Sequence, residues 1–165
     1  MKAQPLPSNF LSDNFFSAMD MNQPSFQYVI IDDDTINNMV CKAAIKAATG
    51  GTLAVCFNNP AEALKYFEDV YLALKKEHQT VLFLDLNMPE MTGWEWLEKF
   101  NDFPDKLKEK VIIYILSSSV NPSDIDLAHA NKLVKDYVVK PLTKAKVTEL
   151  IEDLKPTQFV ALKVV

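Results

Sequence analysis

Asp85 closes an apolar run, Val81-Leu82-Phe83-Leu84, and opens the segment Asp85-Leu86-Asn87-Met88-Pro89-Glu90-Met91-Thr92-Gly93. A carboxylate at the tip of a buried strand is costly to place there unless its charge is compensated. Two other apolar runs also finish in charged groups. Tyr28-Val29-Ile30-Ile31 leads into Asp32-Asp33-Asp34, and Tyr137-Val138-Val139 leads into Lys140-Pro141. Adjacent carboxylates repel, and a hard divalent cation relieves that repulsion. Mg²⁺ in particular takes oxygen ligands in an octahedron and keeps several waters. Asp85 could serve as a nucleophile on phosphorus, where catalysis is mostly positioning and charge neutralisation. Lys140 supplies a point charge for a phosphoryl oxygen or a carboxylate, and an X-Pro bond in a tight loop can adopt the cis form and aim the side chain. Ser117-Ser118-Ser119, after Leu116, adds a hydroxyl able to donate to a phosphoryl oxygen.

Each of these residues also has a plainer reading. Asp34 reads as the N-cap of a helix beginning near Thr35. One cap needs one residue, so Asp32 and Asp33 are left for another role. A lone strand-end aspartate is ordinarily structural, and a lone strand-end lysine ordinarily solvated. The chemical reading rests on their joint occurrence. Ser118 reads as polar loop and Tyr137 as a half-buried strand aromatic. His78 and His129 lack a second ligand at metal-binding spacing. Cys41 and Cys56 also lack that spacing, and read as small buried hydrophobes of a reducing compartment rather than a disulfide. With three glycines in the chain, neither a P-loop nor a dinucleotide fingerprint is present.

The elements that must position these residues alternate between strand and helix. Residues 27–31 form a short apolar run. Helix-period positions Ile36, Met39, Val40, Ala43 and Ala47 follow, closed by Gly50-Gly51. Leu53 to Phe57 reads as a second strand. Asn59-Pro60 opens a helix with Leu64, Phe67, Tyr71 and Leu74 on its apolar face. Val81 to Leu84 is apolar throughout, as expected of a strand covered on both faces. Trp94, Leu97 and Phe100 mark a third helix and Val111 to Leu116 a fourth strand. Asn121-Pro122-Ser123-Asp124 starts a short helix running to about Asn131. Val134 to Val139 is the fifth strand, and Val147, Leu150, Ile151 and Leu154 define a last helix. Five such repeats predict an α/β fold, a doubly wound five-stranded parallel sheet with five helices. Ligands of such sheets bind beyond the carboxyl ends of the strands, where Asp32, Asp85, Ser117 and Lys140 all fall.

The chain has 165 residues, 48% apolar and 24% charged, with a net charge of −5. That suits one globular domain at 25–155, a Pro-, Ser- and Asn-rich flexible tail at 1–24 and a short tail at 156–165. There is no arginine, so bidentate guanidinium contacts to guanine or phosphate are missing, which argues against nucleic acid. No stretch approaches the ~20 apolar residues of a membrane span, and the N-terminus lacks a secretory h-region. A cytoplasmic protein without membrane attachment is expected.

These residues together resemble the receiver domain of two-component response regulators, a flavodoxin-like fold, from about Gln27 to Leu154. Ile31-Asp32-Asp33-Asp34 is similar to the family's acidic pair, Asp85 to Gly93 to its phosphoacceptor loop, Leu116-Ser117-Ser118-Ser119 to its switch hydroxyl segment and Tyr137 to Pro141 to its strand-five signature. The resemblance implies that Asp85 accepts phosphate from a histidine kinase or phosphotransfer protein. It implies that Asp33, Asp85 and the backbone carbonyl of Asn87 ligate Mg²⁺, with Asp32 acting through a bound water. It makes Ser117 and Tyr137 the switch residues and Lys140 the partner of the phosphoryl oxygens, and it places Asn87 and Ser119 where dephosphorylation is tuned. Ser117 replaces the commoner threonine, the usual Gly-Ala pair before Tyr137 is missing, and the loop Asn101–Lys110 is longer than usual.

No output domain follows the last helix, so a stand-alone receiver in a phosphorelay is expected, signalling to an unidentified protein target. The family's usual face is its fourth helix, fifth strand and fifth helix, here parts of Asp124–Asn131 and Thr143–Asp153. The same face is a candidate for homodimerisation. The apolar segment Phe159-Val160-Ala161-Leu162 with Val164 and Val165 could add an edge strand, pack on its own domain or pair two copies. Two other functions compete. A phosphate-independent scaffold with the receiver fold would be expected to lack Asp85, the acidic pair or Lys140. A phosphatase with an aspartyl-phosphate intermediate would carry a second aspartate where Asn87 stands. The expectation is therefore no enzyme beyond Mg²⁺-dependent self-phosphorylation from a phosphodonor and slow self-dephosphorylation.

Overall fold

A computed structural model describes residues 26–73 and 79–154. Five strands, β1 (Phe26–Ile31), β2 (Val55–Phe57), β3 (Gln79–Leu84), β4 (Val111–Ser117) and β5 (Val134–Val139), form one sheet in the order β2-β1-β3-β4-β5, with every pairing parallel. Among the described residues six helices accompany it: α1 (Thr35–Thr49), α2 (Pro60–Ala73), α3 (Gly93–Asn101), α4 (Asp105–Lys108), α5 (Pro122–Ala130) and α6 (Lys144–Leu154). The expected five helices are thus one too few. The long loop Asn101–Lys110 folds a single turn, α4, whose Leu107 is buried. The helices expected as fourth and fifth are α5 and α6.

Alternation along the strands sends side chains to opposite faces. Val29, Ile31, Leu82, Leu84, Ile113 and Ile115 build one core cluster, into which α2 and α3 send Phe67, Trp96, Leu97 and Phe100. Tyr28, Ile30, Val81, Phe83, Tyr114 and Leu116 build the other, closed by Cys41 and Ile45 of α1 and Val147 and Leu150 of α6. Phe67, Trp96 and Phe100 meet with ring centroids 5.0–5.9 Å apart. Burial on both faces is why these strands read as unbroken apolar runs.

Two expectations need correction. The second strand is shorter than Leu53–Phe57, and Leu53 is exposed. On α1 the stripe Ile36, Met39, Val40, Ala43 and Ala47 faces solvent, and the buried face is Asn38, Cys41, Ala44 and Ile45. The 3.6-residue period found a helix, but α1 carries two small-to-apolar stripes. Packing on the sheet turns the second one inward. Of the expected α2 positions, Phe67 is buried and Leu64 half-buried; the side chain of Tyr71, and Leu74 and His78 altogether, lie outside what is described.

Local signals set the helix starts. Asp34 Oδ1 accepts from Ile36 N at 2.8 Å and Asn37 N at 3.2 Å. Asn59 Oδ1 does the same for Ala61 N, at 2.8 Å, and Glu62 N at the head of α2. Thr92 and Glu95 form a reciprocal capping box on α3, a pattern legible as Thr-x-x-Glu. The next residue, Gly93, donates its N–H to Leu86 O at 3.0 Å, which folds the Asp85–Gly93 loop back on itself. A Cβ on Gly93 would lie 2.4 Å from the backbone oxygen of Asp85 and 3.0 Å from Leu86 Cα. Backbone cannot yield as a flexible side chain would. Gly93→Ala should therefore lower stability by about 1–3 kcal/mol, the usual cost of overpacking a tight site, as read from the urea midpoint. An unchanged midpoint would show that the loop is free to move.

Candidate functional site

Strand register builds the site. The last paired residues of β1 and β3 are Ile31 and Leu84, so Asp32 and Asp85 leave adjacent strands side by side, and Asp85 N donates to Ile31 O at 2.9 Å. Ser117 and Val139 are the last pair of β4 and β5, and Lys140 N donates to Ser117 O at 2.9 Å. The chain moves from β1 outward to β2 and then returns to β3 on the other side of β1. The carboxylates thus stand at the point where the winding reverses, the crevice in which doubly wound sheets bind ligands.

Lys140 Nζ lies 2.6 Å from Asp32 Oδ2 and 3.1 Å from Asp85 Oδ2. The Lys140–Pro141 peptide is cis. Asp32 is 1% exposed and Asp85 5%, so this ammonium is the compensation their burial requires. Burial pushes the Asp85 carboxyl up from the usual aspartate range; the Lys140 charge opposes this and the Asp32 charge adds to it. For Lys140, burial alone would lower the ammonium, but the hydrogen bond and charge of Asp32, with those of Asp85, outweigh it and hold it above the usual lysine range.

The acidic loop is held by amides. Asp32 Oδ1 accepts from Asp34 N at 2.9 Å, and Oδ2 accepts from Asn37 Nδ2 as well as from Lys140. Asn38 Nδ2 donates to Asp32 O at 2.8 Å, and Asn58 Nδ2 reaches Asp32 O and Asp33 O at 3.4 and 3.3 Å. Sequence reasoning missed these asparagines, because an asparagine in a helix or loop carries no periodic signal. It also missed Asn59 Nδ2, which donates to Glu90 Oε2 at 2.7 Å and so ties the head of α2 to the Asp85–Gly93 loop.

One carboxylate oxygen each from Asp32, Asp33 and Asp85 lies within 4.8 Å of the others. Two Mg–O bonds end to end span about 4 Å, so this all-oxygen donor set fits that ion with small side-chain adjustment. Asp33 is exposed and opens the site to water. Asn87 is also exposed, two residues beyond Asp85. Ser117 is fully buried, and its Oγ accepts from Ser119 N at 3.2 Å. Ser119 Oγ donates to Asp124 Oδ2 of α5 at 2.7 Å. Tyr137 is buried, beyond the half-burial expected of a strand aromatic, and its hydroxyl donates to Ser119 O at 2.8 Å. Ser118 is exposed. Cys41 is buried, its thiol pushed up to about 12 by burial foremost; Cys56 is only half-buried, and both are free.

The raised Asp85 carboxyl fixes the sign of a pH effect. A folded-state value above the unfolded one means that the native state binds the extra proton, so this group's contribution is full below about pH 3.9 and is lost as pH rises through the folded value. Without metal, Asp85→Asn should gain stability relative to the native chain across that window and keep the gain at neutral pH, as read from urea midpoints at stepped pH. A gain that shrinks as pH rises would contradict the burial argument.

The residue pattern of the response regulator receiver domain family matches residues 28–152. The chain is 27% identical over 126 residues to the two-component response regulator ORR41 of Oryza sativa subsp. japonica, covering 76% of this chain and 91% of that protein. It is 25% identical over 130 residues to the sensory/regulatory protein RpfC of Xanthomonas campestris pv. campestris, covering 79% of this chain but only 16% of that protein's length. A two-component response regulator from Cytophaga hutchinsonii superposes with a TM-score of 0.71 at 28% identity, covering 79% of this chain and 97% of that one. A receiver protein from Dyadobacter fermentans shares the fold, with a TM-score of 0.69 at 24% identity, over 78% of this chain and 97% of that one. With its sheet order, strand-end carboxylates and bridging lysine, the chain belongs to the response regulator receiver domain family.

Proposed function

We propose that Asp85 is a phosphoacceptor and that its phosphorylation switches a protein-binding face in two-component signalling. The observation that carries this reading is the Lys140 ammonium bonded to Asp32 and Asp85 at once. A carboxylate oxygen of Asp85 attacks phosphorus in a phosphohistidine of a histidine kinase or phosphotransfer protein. The P–O bond forms, the P–N bond breaks, and the imidazole leaves, taking a proton from solvent. Catalysis is positioning and charge neutralisation. Asp33, Asp85 and the backbone carbonyl of Asn87 would hold Mg²⁺, with Asp32 acting through water. Both Asp32 oxygens already accept hydrogen bonds, which suits that indirect role. Bound there, Mg²⁺ supplies positive charge against the phosphoryl oxygens.

Once Asp85 carries the phosphoryl group as an acyl phosphate, the negative charge lies on the phosphoryl oxygens, and Lys140 turns to them. Ser117 donates its hydroxyl to another. That movement pulls on Ser119, which is tied both to Asp124 of α5 and to the Tyr137 hydroxyl. Val120 just before α5, Leu127 on α5 and Val139 on β5 are exposed, which supports the α5–β5–α6 face as the output surface, read by a protein target or by a second copy. Phosphorylation acts as a population shift between two forms of this face. Asn87 and Ser119 set the lifetime of the phosphoryl group, and no turnover beyond self-phosphorylation and slow self-dephosphorylation is assigned. A cytoplasmic location is consistent with the absence, among the described residues, of a helix long and apolar enough to cross a membrane.

Intact mass after incubation with acetyl phosphate and Mg²⁺ tests this reading. The expected gain is a single phosphoryl group, lost in Asp85→Asn and abolished by EDTA. No gain, together with no binding of beryllofluoride as a phosphoryl mimic, would overturn it in favour of a phosphate-independent scaffold.

A further inference from the structure

The candidate cation ligands sit on two loops. Asp32 and Asp33 belong to the loop between β1 and α1, Asp85 and Asn87 to the loop between β3 and α3. A third loop, Asn58-Asn59 between β2 and α2, supplies no ligand yet touches both. Asn58 Nδ2 reaches Asp32 O at 3.4 Å, Asp33 O at 3.3 Å and Thr35 Oγ1 at 3.5 Å. Next to it, Asp32 N donates to Phe57 O, at the end of β2, at 3.1 Å. On the other side, Asn59 Nδ2 donates to Glu90 Oε2 at 2.7 Å.

Strand order makes that last bond informative. β1 lies between β2 and β3, which puts the two outer strands about 10 Å apart at the usual spacing. The Asn59–Glu90 bond therefore joins two loops that the sheet itself does not join. It also gives the Asp85–Gly93 loop a second anchor. The first is at the base, where Gly93 N donates to Leu86 O at 3.0 Å, and Asn87 falls between Leu86 and Glu90. Asn59 is in turn fixed by its own helix. Its Oδ1 caps α2, accepting from Ala61 N at 2.8 Å and Glu62 N at 3.3 Å. One side-chain amide thus starts α2 with its oxygen and holds Glu90 with its nitrogen.

We propose that Asn58-Asn59 is a clasp that sets the separation of the two ligand-bearing loops, with Asn59 and Glu90 as positioning residues for the divalent cation. The inference rests on the reading of that cation site given above. Residues one layer out from a metal fix the direction of its ligands, and losing one typically weakens binding by roughly 10- to 100-fold.

Glu90 carries a charge that itself attracts a cation, so removing it would not separate attraction from positioning. Asn59→Asp does separate them. Aspartate caps a helix as well as asparagine, so α2 keeps its start, but the donor facing Glu90 becomes a carboxylate oxygen. The bridge breaks while the negative charge beside the site rises. Attraction alone predicts tighter Mg²⁺ binding, and positioning predicts weaker binding. In Asn59→Asp/Glu90→Gln the new amide donates to the new carboxylate. The bond returns with its roles exchanged, and the net charge is that of the native chain.

Mg²⁺ titration of the native chain and both variants, followed through backbone amide ¹H–¹⁵N shifts, tests the clasp without any phosphodonor. Asn59→Asp should weaken Mg²⁺ binding about tenfold or more, and the exchanged pair should restore it. Amides of α6, remote from the clasp, should keep their shifts in all three chains and so report an intact fold. Equal or tighter binding by Asn59→Asp would overturn the clasp, as would an exchanged pair that binds no better than the single variant. Native shifts that never saturate with Mg²⁺ would overturn the cation reading itself, and the clasp with it.

Discussion

Two carboxylates buried side by side at the ends of neighbouring strands would repel each other in a setting that screens charge poorly. One ammonium bonded to both makes the arrangement tenable. Lys140 is remote from Asp32 and Asp85 in sequence, and the sheet order delivers it: β4 lies between β3 and β5, and the Ser117–Val139 register sets the height at which Lys140 emerges. A one-residue slip of β5 would reverse its alternation and turn the lysine away. The hydrophobic alternation that fills the two cores is therefore also what positions the charge. Stability and site geometry are not separate properties of this sheet.

The loops around the ion triad are fixed by backbone contacts more than by charge. Asn38 and Asn58 grip the carbonyls of the acidic loop, and Gly93 lets the Asp85 loop close so tightly that no Cβ fits. The β4–α5 side is held by one connected set of hydrogen bonds, from Ser117 through Ser119 to Asp124 and Tyr137. The acidic side has many redundant contacts and resists movement, whereas the serine side runs through single bonds. That asymmetry suits a site in which one wall stays fixed and the other moves.

Much of this was legible in the sequence for identifiable reasons. β3 and β4 are buried on both faces, so their runs stand out, and the edge strand β5, with only Tyr137 and Val138 buried, spans Val134–Val139 as expected. The charged residues after β1, β3 and β5 could be read because a charge closing a run of three or more apolar residues has few plain explanations. The caps at Asp34, Asn59 and Asn121 were local and readable. The inward face of α1 was not. Cys41, Ala44 and Ile45 compete with a stripe that is more hydrophobic, and only packing on the sheet decides between them. Leu53 reads as part of β2 because an apolar residue beside a strand looks like strand. α4 escaped notice because four residues hold too little periodicity. The asparagines of the acidic loop act through geometry that composition does not encode.

Burial does two opposing things to Asp85. By raising its carboxyl it makes the ionised oxygen more basic and a better nucleophile, but it also reduces the fraction ionised. Lys140 restores ionisation at the cost of engaging one of the two oxygens. The other, Oδ1, accepts the Leu86 N–H at 2.8 Å, an interaction that holds its direction without neutralising it. The geometry thus divides the labour within one carboxylate, with Oδ2 carrying the charge balance and Oδ1 kept oriented. On the exposed rim, Asp33 and Asn87 face water, so a charged group entering from solvent meets these hydrated side chains before it meets the buried ion pair.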